Sequence, residues 1–111
     1  MTGATAPVDA LFQALAHPAR RAVVERLSRG PAPVTELAAP FDMALPSFLQ
    51  HLRVLESSGL VRSRKRGRVR TVRLVPDRLD RATTWLDRQR SHWERRLDRL
   101  DDFVKDLEEN E

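Results

Sequence analysis

Apolar residues fall along this chain in two rhythms, and the change from one to the other divides it. Val8, Leu11, Phe12 and Leu15 recur at i, i+3, i+4 and i+7, the spacing of one helix face. Pro18 interrupts that run and suits the first turn of a second helix, where its missing N–H costs nothing. Residues 18–28, PARRAVVERLS, then align Ala19, Val23 and Leu27 on one side. RGPAP at 29–33 supplies turn residues. A short helix, TELAA, is expected from its candidate N-cap Thr35 to Ala39, with Pro40 stopping it. FDMALP at 41–46 reads as a turn into a longer helix over 44–57, closed at Gly59.

Period two takes over at 60–75. LVRSR and VRTVRLV are rich in β-branched residues, and Gly67 between them can take the positive φ of a tight turn. The spacing predicts a two-stranded hairpin. From Asp77 to about Glu108 the helical period returns. Leu79, Leu86, Trp93, Leu100 and Leu107 stand seven apart, and Thr83, Arg90, Leu97 and Val104 follow the first four of them by four. This is a heptad seam, stronger in its second half. A helix of roughly 32 residues reaches about 48 Å. A small domain cannot cover that length, so part of the seam is expected to pack on another chain.

The element order is helix, helix, short helix, longer helix, hairpin, long helix. A short helix, a turn and a longer helix make a helix-turn-helix, and a hairpin directly after it makes a wing. The expected fold is mainly α, an α+β winged helix. Its expected divisions are a flexible tail at 1–7, a DNA-binding domain at 8–76 and a long dimerisation helix at 77–111 with an acidic end.

Charge sharpens this picture. Among the 111 residues 32% are charged and the net charge is +4, but the charge is segregated. Between Arg62 and Arg73 lie seven basic residues and no acid, whereas seven acids stand between Asp98 and Glu111. The basic run falls on the hairpin, so Arg64, Lys65, Arg66, Arg68 and Arg70 are candidates to grip phosphate. On helix 44–57, Leu45, Phe48, Leu52 and Leu55 cluster on one side. Pro46, Ser47, Gln50, Arg53 and Val54 point away from them. Gln bonds adenine bidentately and Ser suits several bases, so Pro46, Ser47 and Gln50 are the base-contact candidates, with an ordinary solvated face as the alternative. His51 and Arg53 are candidates for the DNA backbone.

Other chemistry finds little support. The chain has no cysteine, which removes disulfides, thiolate metal sites and cysteine nucleophiles. No phosphate-binding glycine loop, nucleophile elbow or hydrolase metal motif occurs, so no catalytic residue is expected. No apolar run approaches the length of a membrane span, and MTGATAP lacks the features of a signal peptide. A cytoplasmic protein without membrane association is expected.

ALAHPARRAVVERL, VTELAAPFDMALPSFLQHLRVLESSGLV and RKRGRVRTVRL, in that order, resemble the ArsR/SmtB group of bacterial winged-helix regulators. The likeness runs from about Leu11 to Leu74. It implies a homodimer, built mainly from the first and last helices, that binds an imperfect palindrome in double-stranded DNA and usually represses. Leu11, Phe12, Leu86, Trp93, Leu97, Leu100 and Val104 are the interface candidates on that basis. Three places depart from the family pattern: His17-Pro18, Ala44-Leu45, and Leu49 where a serine is common. The metal-sensing motifs of the family are not matched either. TELAA offers only Glu36, and on the last helix His92 and Glu94 sit two apart, on different faces. No metal ligand and no cofactor is expected, and the signal is left open between a small molecule, a metal, a partner protein and none at all. An activator role, or a winged helix that serves protein interaction, is the alternative reading.

Overall fold

The computed structural model describes residues 6–110. The expected tail at 1–7 therefore lies largely outside the described residues, and the first helix, α1 (Ala6–Ala14), already includes its last two positions. Helix α2 (Pro18–Leu27) follows with Pro18 in its first turn, and it buries Ala19, Val23 and Leu27 as their spacing requires. His17 caps it. Its backbone is extended, and its Nδ1 accepts the Ala19 N–H at 3.1 Å.

Strand β1 (Ala32–Pro33) was not foreseen. It pairs antiparallel with the hairpin, Ala32 opposite Val72 and Pro33 opposite Thr71. Two residues carry no period, and proline is tolerated there only because the strand lies at the sheet edge. The hairpin itself, β2 (Val61–Arg66) and β3 (Val69–Leu74), forms as expected, and the sheet has three strands in the order β1-β3-β2. Gly67 takes φ +60° in the two-residue turn while Arg68 stays at negative φ. That combination suits a type II′ turn, whose first central position favours glycine.

Helix α3 (Val34–Ala38) starts straight out of β1, with Pro33 at the cap position and no side-chain cap bond. The expected capping by Thr35 is thus corrected: Thr35 lies inside the first turn. Helix α4 (Leu45–Ser57) begins after Ala44 and buries Phe48, Leu52 and Leu55. Two assignments on it change. Leu45 is 55% exposed rather than in the core. Val54 packs against the core instead of pointing to solvent. One turn of helix separates Leu45 from Phe48, and the core ends before reaching it.

The end of α4 joins the wing through a tight closure. Gly59 adopts φ +84°, its N–H donates to Glu56 O at 3.0 Å, and the Leu60 N–H donates to Leu55 O at 3.2 Å. This is a Schellman closure, completed by apolar contact between the flanking residues. Leu55 and Leu60 are both fully buried in one cluster with Leu11, Val23, Leu27, Phe48, Val61 and Val72. Buried Ser58 donates to Leu55 O at 2.8 Å and so leaves no orphaned hydroxyl.

Helix α5 (Pro76–Glu109) is 34 residues long and buries only Ala82. Its root packs on α1, where Phe12 meets Trp85 edge-to-face at 5.5 Å. Beyond that, Leu86, Trp93, Leu97, Leu100, Phe103, Val104 and Leu107 stay exposed, with Phe103 at 60%. The described residues extend over 76 × 32 × 22 Å, the long axis reflecting this helix. Leu11, expected at a subunit interface, is instead 1% exposed in the chain's own core. Phe12 is half-buried against Trp85.

A Cβ added at Gly59 would meet Arg78 Nε at 2.8 Å, and its φ disfavours any L side chain. Gly59→Ala is expected to destabilise the fold by about 1–3 kcal/mol, read as a lower midpoint in urea unfolding.

Candidate nucleic-acid interface

Helices α3 and α4, with the turn 39–44 between them, form the helix-turn-helix. Burial of Phe48, Leu52 and Leu55 fixes the rotation of α4 and leaves Pro46, Ser47, Gln50 and Arg53 exposed on its other side. Arg53 Nη1 donates to Gln50 Oε1 at 3.2 Å, which holds the carboxamide of Gln50 in one orientation. Pro46, Ser47, Gln50 and His51 line a shallow hollow on this face. The base-contact candidates are thus brought together.

The wing divides its charge between two faces, because strand side chains alternate. Arg62 lies opposite Arg73, Arg64 opposite Thr71, and Arg66 opposite Val69. Arg62, Arg64, Arg66, Thr71 and Arg73 line an outer groove. Lys65 lies opposite Arg70, on the face that continues the core side beyond Ser63 and Val72. Arg68 sits at the turn. Like charges directly across a ladder are destabilising. Among the described residues the salt bridges are Arg26–Glu36, Arg90 with Asp87 and Glu94, and Lys105–Asp101, so no carboxylate pairs with a wing cation. Wing and α4 are joined through Ser63, whose hydroxyl donates to Glu56 Oε1 at 2.9 Å. An arrangement of unpaired cations on a rigid ribbon, beside an exposed polar helix face, is suited to a polyanion with readable edges.

His51, the remaining candidate on this helix, borders the hollow and packs against the residues of α2 and its cap. Its Nδ1 accepts from Arg20 Nη1 at 3.0 Å, and its ring lies 4.2 Å from that of His17. Arg20 also donates from Nε to Ala14 O at 2.7 Å and from Nη2 to Gln13 O at 3.0 Å. One guanidinium thereby joins the end of α1, helix α2 and helix α4. Arg20 escaped sequence reasoning because its partner is 31 positions away, and no local pattern links them. Burial, then the charges of His17 and Arg20, lower the pKa of His51 from its ordinary 6.5.

A helix-turn-helix domain family matches residues 15–64. The HTH-type transcriptional regulator Rv2034 of Mycobacterium tuberculosis is 44% identical over 89 residues, 80% of each chain. A crystal structure of an ArsR family transcriptional regulator superposes with a TM-score of 0.79 at 51% identity, covering 85% of this chain and 97% of that one. This chain belongs to the ArsR family of transcriptional regulators. A homodimeric winged helix-turn-helix DNA-binding domain from Mycobacterium bovis, solved in solution, is 26% identical, with a TM-score of 0.62 over 79% of this chain and 82% of that one.

Within this ArsR-family framework, the positions weighed as metal ligands are otherwise engaged. Glu36 accepts from Arg26 at 2.9 Å, and His92 Nδ1 accepts from Arg95 at 3.0 Å. Among the described residues no three His, Asp or Glu side chains gather closely enough to hold a metal ion. None of the described helices is long and apolar enough to cross a membrane.

The lowered pKa of His51 has a stability consequence. Above the ordinary imidazole range the ring is neutral in both folded and unfolded chains. As pH falls below about 6.5, the unfolded chain takes up the proton first, and stability drops until the folded ring also titrates. The unfolding midpoint of the wild type is therefore expected to fall more steeply than that of His51→Gln between about pH 6.5 and 5, measured by thermal denaturation.

Proposed function

We propose that this ArsR-family chain is a homodimeric, sequence-specific DNA-binding regulator that acts in the cytoplasm and represses from a palindromic operator. The observation that carries the reading is the pairing of an exposed polar face on α4 with an uncompensated cationic wing next to it in the chain. In this reading residues 8–76 form the DNA-binding domain and 77–111 the dimerisation helix. Helix α4 enters the major groove, where Ser47 and Gln50 reach base edges and Pro46 packs at their side. Arg53 orients Gln50 and reaches the backbone. Arg64, Lys65, Arg66, Arg68 and Arg70 neutralise phosphates from the wing.

The dimer follows from α5. Leu86, Trp93, Leu97, Leu100, Phe103, Val104 and Leu107 form an apolar stripe that the chain itself leaves uncovered. A second copy supplies a matching stripe by symmetry, and a two-fold protein presents two recognition helices to two half-sites. The homodimeric state of the Mycobacterium bovis relative and the repression usual in the family support this assignment. Release from DNA by a small molecule or a partner protein would complete the cycle.

The test is fluorescence anisotropy with the duplex upstream of the chain's own gene against a scrambled duplex, at two salt concentrations. A preference of about a thousandfold supports specific regulation, and equal affinity rejects it. In the same assay Gln50→Ala is expected to narrow the preference by about 1–3 kcal/mol, while Arg66→Ala weakens both duplexes alike and lowers the salt slope by about one. Leu97→Glu is expected to convert a dimer to a monomer in sedimentation velocity, because a charge in the seam meets its own copy.

A further inference from the structure

We propose that His17, Arg20 and His51 form a proton-sensitive clamp that positions the recognition helix, engaged while both imidazoles are neutral and released when either is protonated. The proposal rests on the reading of α4 as the DNA-recognition helix. Its geometry does not.

Both histidines use Nδ1 as an acceptor. His17 takes the Ala19 N–H at 3.1 Å and so caps α2. His51 takes an N–H from Arg20 at 3.0 Å. Each ring therefore carries its single proton on Nε2. Two further N–H groups of Arg20, on Nε and Nη2, donate to Ala14 O and Gln13 O and hold the guanidinium against the end of α1. His51 is thus tied through Arg20 to the body of the domain. It stands next to Gln50 in sequence and shares a hollow with Pro46, Ser47 and Gln50.

A proton added at Nδ1 turns an acceptor into a donor. On His51 the new N–H faces the N–H of Arg20, and the contact becomes repulsive. On His17 it faces the Ala19 N–H, and the cap of α2 is lost. The rings are 4.2 Å apart, so a charge on one also opposes a charge on the other. The packed groups whose charge opposes a proton on His51 are His17 and Arg20, and Arg53 on its own helix is an exposed cation. The lowered pKa of His51 agrees with an environment that resists protonation. Acidification therefore removes the Arg20 tie between α4 and α2 beside Gln50, while the buried face of α4 keeps the helix in the core.

This placement opposes the simpler role for a histidine on a recognition helix. An imidazolium facing phosphate would strengthen DNA binding at low pH. The clamp weakens it.

The experiment compares specific DNA affinity at about pH 7.5 and about pH 5.5, at constant ionic strength, for the wild type and the double variant His17→Asn with His51→Gln. Asn still caps a helix and Gln still offers an oxygen to Arg20, but neither titrates. The wild type is expected to lose about tenfold in preference for its operator over a scrambled duplex on acidification, and the double variant to keep it. Identical pH profiles, or tighter specific binding by the wild type at low pH, overturn the clamp. A nuclear magnetic resonance titration without DNA separates this from the functional reading. Backbone amide shifts of residues 45–57 are expected to follow the imidazole titration in the wild type and not in the variant. Amides that stay in place between about pH 7.5 and about pH 5.5 overturn the clamp even if the protein binds DNA. If neither duplex is preferred at neutral pH, the DNA reading fails while the amide shifts still decide the clamp.

Discussion

Leu55 and Leu60 touch across Gly59, and the reading half of the molecule is arranged around that contact. Leu55 is the last buried residue of α4, and Leu60 sits immediately before the first strand of the wing. Both side chains enter one core with Phe48 and Val72. The two backbone bonds of the Schellman closure set the angle at which the chain leaves the helix. Helix and wing are consequently held to each other by buried apolar area and two hydrogen bonds, and cannot swing independently without opening the core. Apolar burial supplies the energy, roughly 25 cal/mol per Å². The glycine supplies the geometry.

The polar half of the design runs the other way. The wing sets Arg62 against Arg73 and Lys65 against Arg70 with no internal carboxylate to relieve them. A surface selected only for folding would intersperse acids there, as α5 does with its Asp87–Arg90 and Asp101–Lys105 pairs. Retaining like-charge pairs on a short ribbon sacrifices some local stability. That sacrifice is consistent with a ribbon that meets a polyanion.

Much of this was legible in the sequence, and the reasons for success and failure are physical. Ala19, Val23 and Leu27 and the hairpin around Gly67 carry periods that survive folding because a single face is buried or paired, and the long helix keeps its heptad period although most of that stripe stays exposed. The family resemblance, resting on motifs from about Leu11 to Leu74, agreed with those periods and with the later comparisons. What failed were features without a period. Strand β1 is two residues long. Thr35 looked like a cap only because the preceding strand was invisible. Leu45 shares the helical spacing of Phe48 but overhangs the end of the core. Leu11 and Phe12 have an apolar character that says nothing about which chain covers them, and the fold spends Leu11 internally. Phe103 lies off the heptad positions and was missed for that reason. The interface candidates on α4 were read from the faces of one helix, whereas the clamp joins three helices through a residue with no local signature.

The distal half of α5 contributes almost nothing to the core of its own chain. Helices are cooperative, and most helical stability in proteins comes from packing an amphipathic face rather than from propensity. Order in that segment is thus coupled to whatever covers its apolar stripe. A copy that has lost its cover would expose a fraying, apolar, acid-ended segment, the kind of site at which proteases begin. On the proposed dimeric reading, turnover of the chain in a cell would track its assembly, with paired molecules outlasting unpaired ones.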